Sequence, residues 1–258
     1  MNDIAHAQPD DLDLPSLRAF GERLHVVDAD FDPGTFFARV SEGFEALDLE
    51  GRARHAADAL AEQLPASFAD AVGLLIDASP LPRPLSGEGE DRRVVLPALE
   101  LVARNGREHW RQGMNGLHQL TTRCSAERQL RIFVEADFPE TFRVLKLWTR
   151  DLSAHVRMLV ARGIRPYLPG AEPFSYFADR PDPALDLLDL LKDDPIERVR
   201  AEVAEAMNDI SRENPGPTFD TLAYWKREAT PERRALVQAS ARTLIEGGYP
   251  YADALLRP

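Results

Sequence analysis

Arginines stand at matching places in the second half of the chain. Arg157 closes the string Asp151-Leu152-Ser153-Ala154-His155-Val156-Arg157, and Arg200 closes Asp194-Pro195-Ile196-Glu197-Arg198-Val199-Arg200. Arg233 and Arg234 close a shorter copy that begins at Thr230-Pro231. A guanidinium can grip phosphate oxygens in a fork, or it can pair with a carboxylate of an adjoining repeat. The sequence leaves both uses open for Arg157 and Arg200. Arg162 and Arg165 are anion-contact candidates, and Arg165 can equally anchor a connector.

Other chemistry is poorly provided for. The histidines at 6, 25, 55, 109, 118 and 155 show no ligand spacing such as His-Glu-x-x-His, so no metal is expected. No Gly-rich phosphate loop and no Gly-x-Ser-x-Gly elbow is present, and no cofactor is expected. The single Cys124 has no partner for a disulfide and reads as a small buried residue.

The copies must be positioned by a repeating scaffold. Arg157 and Arg200 lie 43 residues apart, and Pro195 and Pro231 lie 36 apart. Such periods belong to stacked helix pairs of the HEAT type. Apolar residues fall at helical spacing through most of the chain, from Phe36, Phe37, Val40 and Phe44 onward. Helices are expected at about 52–64, 68–76, 94–104, 108–121, 126–135, 139–148, 153–162, 183–192, 196–210, 216–227, 232–246 and 250–256. Asp194, Pro195 and Glu197 read as N-cap, first-turn and capping-box residues. Residues 79–91 are rich in Pro, Gly and acids and read as a loop, and 163–182 as a long connector. No stretch alternates as a strand would. The expected fold is all-α: a HEAT-like α-solenoid, a C-shaped superhelix of antiparallel helix pairs. Residues 1–30 are expected as a polar, partly disordered segment, and 31–258 as one repeat domain. Trp110, Trp148 and Trp225 read as core.

The chain has 258 residues, 44% of them hydrophobic and 29% charged, with a net charge of −12. That is ordinary for a globular protein with ample core. No apolar run reaches the roughly 18–20 residues of a membrane span, so no membrane partner is expected. The acidic N-terminus carries no secretory pattern, and with one cysteine the cytoplasm is expected. A net acidic chain binds nucleic acid only through a local basic patch.

Several strings together resemble one family. They are Leu47-Asp-Leu-Glu-Gly-Arg-Ala-Arg-His-Ala-Ala-Asp-Ala-Leu60, Leu120-Thr-Thr-Arg-Cys-Ser-Ala-Glu127, His155-Val-Arg157, Arg165-Pro-Tyr-Leu-Pro169, Leu190-Leu-Lys-Asp-Asp-Pro195, Met207-Asn-Asp-Ile-Ser211 and Arg242-Thr-Leu-Ile245. In this order they resemble the AlkC branch of the AlkC/AlkD DNA alkylation repair proteins, over roughly residues 30–256. The resemblance implies a HEAT-like stack that grips duplex DNA and excises cationic N-alkylated bases such as 3-methyladenine. A carboxylate near the sugar would stabilise the positive charge left by the departing base, and an aromatic ring would hold the base. By resemblance Glu127 and Asp209 are the catalytic carboxylates. Arg157, Arg162, Arg165, Arg200, Asn208 and Arg242 are the binding residues. Read without the family, Glu127 is a first-turn acid favoured by its helix dipole, and Asn208 and Asp209 are a polar clamp between repeats. Some relatives add an immunoglobulin-like domain after the repeats, which this chain is expected to lack.

The sequence departs from the family pattern. The family's carboxylate after His155-Val-Arg157 is here Arg162, and its tryptophan after Pro169 is Gly170. Basic or polar positions have become Ala201, Glu202, Glu205 and Ala206, and later a Trp, an Arg, a His and two Lys of the pattern have become Ala235, Gln238, Ala239, Glu246 and Gly247. A cation in place of the carboxylate reverses its effect on a developing sugar cation. These changes speak against ordinary excision and describe a diverged paralogue. The alternative expectation is a non-catalytic adaptor that takes a protein or peptide in its concave face.

Overall fold

The structure, a computed structural model, describes residues 12–84 and 92–257. It divides into two compact units, Met1–Phe133 and Val134–Pro258. The first carries α1 (Leu14–Val27), α2 (Pro33–Ser41), α3 (Leu49–Ala61), α4 (Phe68–Ala78), α5 (Leu96–Gly106) and α6 (Trp110–Leu120). Helix α7 (Glu127–Ala136) runs across the boundary between the units. The second carries α8 (Phe138–Trp148), α9 (Ala154–Gly163), α10 (Asp182–Leu191), α11 (Glu197–Ser211), α12 (Pro215–Lys226), α13 (Pro231–Ser240) and α14 (Arg242–Glu246). Among the described residues there is no strand.

Packing follows a repeat logic inside each unit. In the first, α4 packs between α1 and α6, while α3 packs on α5. In the second, α11 lies between α9 and α13, and α10 lies between α8 and α12. Alternate helices therefore form two layers, as stacked helix pairs do. The core of the second unit runs through Val156, Val160, Leu187, Leu188, Val199, Val203, Met207 and Leu222, all buried. These residues recur at three- and four-residue steps, which is what turns one face of each helix inward. Trp225 is fully buried and donates its Nε1 hydrogen to Asp189 at 2.8 Å. Trp148 and Cys124 are buried, and Trp110 is half-buried.

Several helix starts are set by side-chain caps. Asp13, Asp32, Asp48, Asp137 and Thr230 each accept a backbone N–H of the first turn they precede. Three expectations change. Residues 14–27, placed in a polar segment, form α1, because Leu17, Phe20 and Leu24 share one buried stripe. Residues 1–11 and 85–91 lie outside the described residues. Asp194 is not an N-cap: α11 starts at Glu197, and the Asp194 carboxylate caps a turn by accepting from Ile196 N at 2.9 Å. The helix expected over 232–246 breaks at Ala241 into α13 and α14.

Candidate functional site

The recurring arginines hold turns. Arg157 Nη1 donates to the carbonyl of Asp151 at 2.7 Å, Arg200 Nη1 to that of Asp194 at 2.6 Å, and Arg234 Nη1 to that of Ala229 at 2.7 Å. Each helix thus braces the turn that leads into it. Arg157 does more. Its Nε and Nη2 fork onto Asp194 at 2.5 and 3.0 Å, and the two side chains are only 10% and 3% exposed. With its donors spent and its head buried, Arg157 is a structural cross-link between successive repeats, not a phosphate contact. Arg200 is half-buried and serves as a turn brace.

The remaining site candidates of this unit gather along α11. Glu202, Glu205 and Asp209 follow one another at three- and four-residue steps, so they share one face of the helix. Each meets an arginine. Arg162 of α9 donates to Glu202 at 2.5 Å. Arg165, just past α9, donates through Nε to Asp209 Oδ2 at 2.7 Å and lies 3.9 Å from Glu205. Arg242 at the start of α14 donates to both oxygens of Glu205, at 3.1 and 3.2 Å. Arg212 stands 3.9 Å from Asp209 Oδ1. Along this face the guanidinium charges are matched by carboxylates, and the sign reversal at Arg162 is offset locally by Glu202.

Asn208 is fully used. Its Nδ2 donates to the carbonyls of Ala204 and Ala239 at 3.0 and 2.9 Å, and its Oδ1 accepts from Thr243 N at 3.0 Å. It ties α11 to α13 and α14 and is buried, so it is a clamp and not a ligand contact. Past α9 the connector presents Tyr167, whose hydroxyl donates to Glu213 Oε1. That bond to a carboxylate pushes the Tyr167 pKa up from its ordinary 10.0 and keeps the phenol neutral. Gly170 takes a φ of 66°, the left-handed region that glycine enters without strain.

Glu127 opens α7 and differs from every acid above. Its Oε2 is enclosed and has no hydrogen-bond partner. A carboxylate oxygen enclosed without a partner is costly, and such groups in native proteins call for a functional explanation. The structure therefore brings Arg162, Arg165, Asp209 and Arg242 onto one face, and commits Arg157, Arg200 and Asn208 to scaffolding. Glu127 belongs to α7, in the first unit. Sequence reading had counted Glu202 and Glu205 only as losses, and it missed Arg212 and Glu213. The signal that could have found them is the repeat period, since the ion-paired residues lie 37 to 44 positions apart. Among the described residues no three His, Cys, Asp or Glu side chains gather as metal ligands would, and no helix is long and apolar enough to cross a membrane.

No family model matches this sequence. The chain is similar to the uncharacterized protein YhaZ of Bacillus subtilis (strain 168). The two are 29% identical over 227 residues, which is 88% of this chain and 61% of that protein. The fold is similar to Pseudomonas fluorescens alkylpurine DNA glycosylase AlkC bound to DNA containing an abasic site analog. The TM-score is 0.84 at 28% identity, over 95% of this chain and 66% of that chain. The chain thus spans between about three fifths and two thirds of the length of these relatives. The shared scaffold is a HEAT-like helical repeat fold.

Proposed function

We propose, from the premise that the chain belongs to the AlkC-like family, that it binds duplex DNA and excises cationic N-alkylated bases of the 3-methyladenine kind. The observation that carries this reading is the likeness over 95% of the chain to a glycosylase solved on DNA. Alkylation makes the base a cation, so the glycosidic C1′–N bond is already weak. The bond breaks with its electron pair going to the base, and positive charge grows on the sugar. Water then adds to C1′ and gives up a proton. The protein's contribution is a carboxylate that stabilises the sugar cation or orients the water. Glu127 is the candidate for that role by its match to the family's carboxylate, and its Oε2 makes no hydrogen bond within the protein. Asp209 is less suited, since Arg165 already draws on its charge. Arg162, Arg165 and Arg242 are the phosphate contacts this reading leaves, and the work is assigned to the cytoplasm.

The second reading is a non-catalytic adaptor for a protein or peptide. It is favoured by the pairing of Arg162, Arg165 and Arg242 with Glu202, Asp209 and Glu205, which leaves little net positive charge for a phosphate backbone. The deciding experiment is release of 3-methyladenine from methylated duplex DNA by the purified chain, beside Glu127→Gln and Arg162→Glu. We expect release by the wild type and a drop of roughly 100-fold or more in Glu127→Gln. No release and no duplex binding at low salt would overturn the repair reading and leave the adaptor.

A further inference from the structure

We propose that Glu202 and Glu205 form an autoinhibitory lock: their carboxylates occupy Arg162 and Arg242 in the resting protein, and a duplex binds by displacing them. The duplex as the displacing partner rests on the binding reading above. The lock itself belongs to this chain, since Glu202 and Glu205 stand where the family resemblance calls for basic or polar groups.

The ion pairs along α11 differ in how deeply they are set. Arg165 and Asp209 are 13% and 5% exposed, and Arg165 Nε donates to Asp209 at 2.7 Å. A pair enclosed to that degree stays closed, because opening would leave each charge buried and uncompensated. Arg242 and Glu205 are 53% and 42% exposed. Nη2 of Arg242 donates to both Glu205 oxygens at 3.1 and 3.2 Å, yet water reaches both partners, so the pair opens readily. The pair of Arg162 and Glu202, at 2.5 Å, is intermediate in exposure. Glu202 and Glu205 lie three residues apart, so one ligand running along this face of α11 meets both pairs.

A phosphodiester and a carboxylate are alike to a guanidinium. Each carries one negative charge over two oxygens that the fork can grip. One phosphate against one carboxylate is therefore a near-balanced exchange. A duplex tips it, because it presents one charge per about 1.7 Å of axis and sheds condensed counterions as its phosphates are neutralised. A single phosphate sheds none and leaves the lock closed. The displaced glutamates then stand beside phosphates and take up cations from solution. Those cations offset part of the ones released, so duplex binding depends on salt less steeply than two arginine contacts would dictate. The acids thus set a threshold of charge density that a ligand must pass.

The test follows duplex affinity through a salt series, by fluorescence anisotropy of a labelled duplex with the whole chain. It compares the wild type, Glu205→Gln, and Glu202→Gln joined to Glu205→Gln. Glutamine keeps the size and one acceptor oxygen but drops the charge. At low salt we expect the double variant to bind roughly tenfold tighter, as two like charges leave the phosphates. Its slope of log affinity against log salt should be steeper by about one to two. Glu205→Gln alone should move both in the same direction, and its half-exposed pair leaves the fold intact. Asp186→Asn joined to Asp220→Asn changes the net charge equally on the exposed sides of α10 and α12, and should move neither. Adding Arg162→Gln and Arg242→Gln to the double variant should cancel its gain. Unchanged affinity and slope in the double variant, or an equal gain in the α10 and α12 control, would overturn the lock. Base release is scored separately. Tighter binding without release sinks the excision reading alone. Release by the wild type with affinity and slope unchanged in the double variant sinks the lock alone, and no duplex binding by any variant at low salt sinks both.

Discussion

At the scale of single residues, two arginines that look alike in the sequence differ in worth. Arg157 and Asp194 form a buried fork, and removing one partner leaves the other charge enclosed. Arg157→Ala should cost about 3–5 kcal/mol in urea unfolding. Arg157→Lys should not restore it, because an ammonium cannot serve Asp194 and two carbonyls at once. Arg233 also forks onto a carboxylate, but its partner Asp193 is half-exposed, and Arg233→Ala should move the midpoint far less. Composition and local spacing could not separate the two cases. The partner of Arg157 lies 37 positions away, and its burial depends on the stacking of α9 on α11.

At the scale of elements, the tightest approach is between α5 and α6. A Cβ on Gly113 would stand 2.6 Å from Phe133 Cζ and 2.8 Å from the Gly106 Cα. The second neighbour is backbone and cannot swing away. Gly113→Ala should therefore destabilise by about 1–3 kcal/mol or more, where Gly73→Ala, with open space around it in α4, should stabilise by about 0.5–1 kcal/mol. Thermal melts of the two variants should move in opposite directions. The helices themselves were largely legible, because apolar periodicity and caps are local. The start of α1 was hidden by Pro and Asp residues around it, which cap the helix without preventing it. The break at Ala241 was hidden because good helix formers stand on both sides. It reflects a demand from outside: Thr243 N leaves the helical ladder to meet Asn208.

At the scale of the whole molecule, the acidic total of −12 belongs to the chain at large, while the acids that line α11 stand opposite arginines. Where the family resemblance leads one to expect basic or polar groups, Glu202 and Glu205 have arrived at pairing distance from Arg162 and Arg242. The fold was readable from apolar periodicity and repeat spacing, and the likeness to AlkC from ordered motifs. The charge balance of the site was not, since it is set by pairs one repeat apart. Reading residues about 40 positions apart as neighbours would have recovered most of them.

The braces that tie each turn to its following helix also decide how the chain meets a protease. Leu152 is fully exposed in the turn before α9, an open invitation to an enzyme that cuts after large apolar residues. Cleavage needs the segment to peel away into an extended strand. The carbonyls of Asp151 and Leu152 are both held by Arg157, and Ser153 N is held by the Asp151 carboxylate at 2.7 Å. Peeling is then coupled to opening of the buried fork, and its frequency falls with the stability of that fork. Limited digestion with chymotrypsin should spare Leu152 in the wild type and nick it early in Arg157→Lys. The bond after Leu152 thus serves as a built-in gauge of how often the stack comes open.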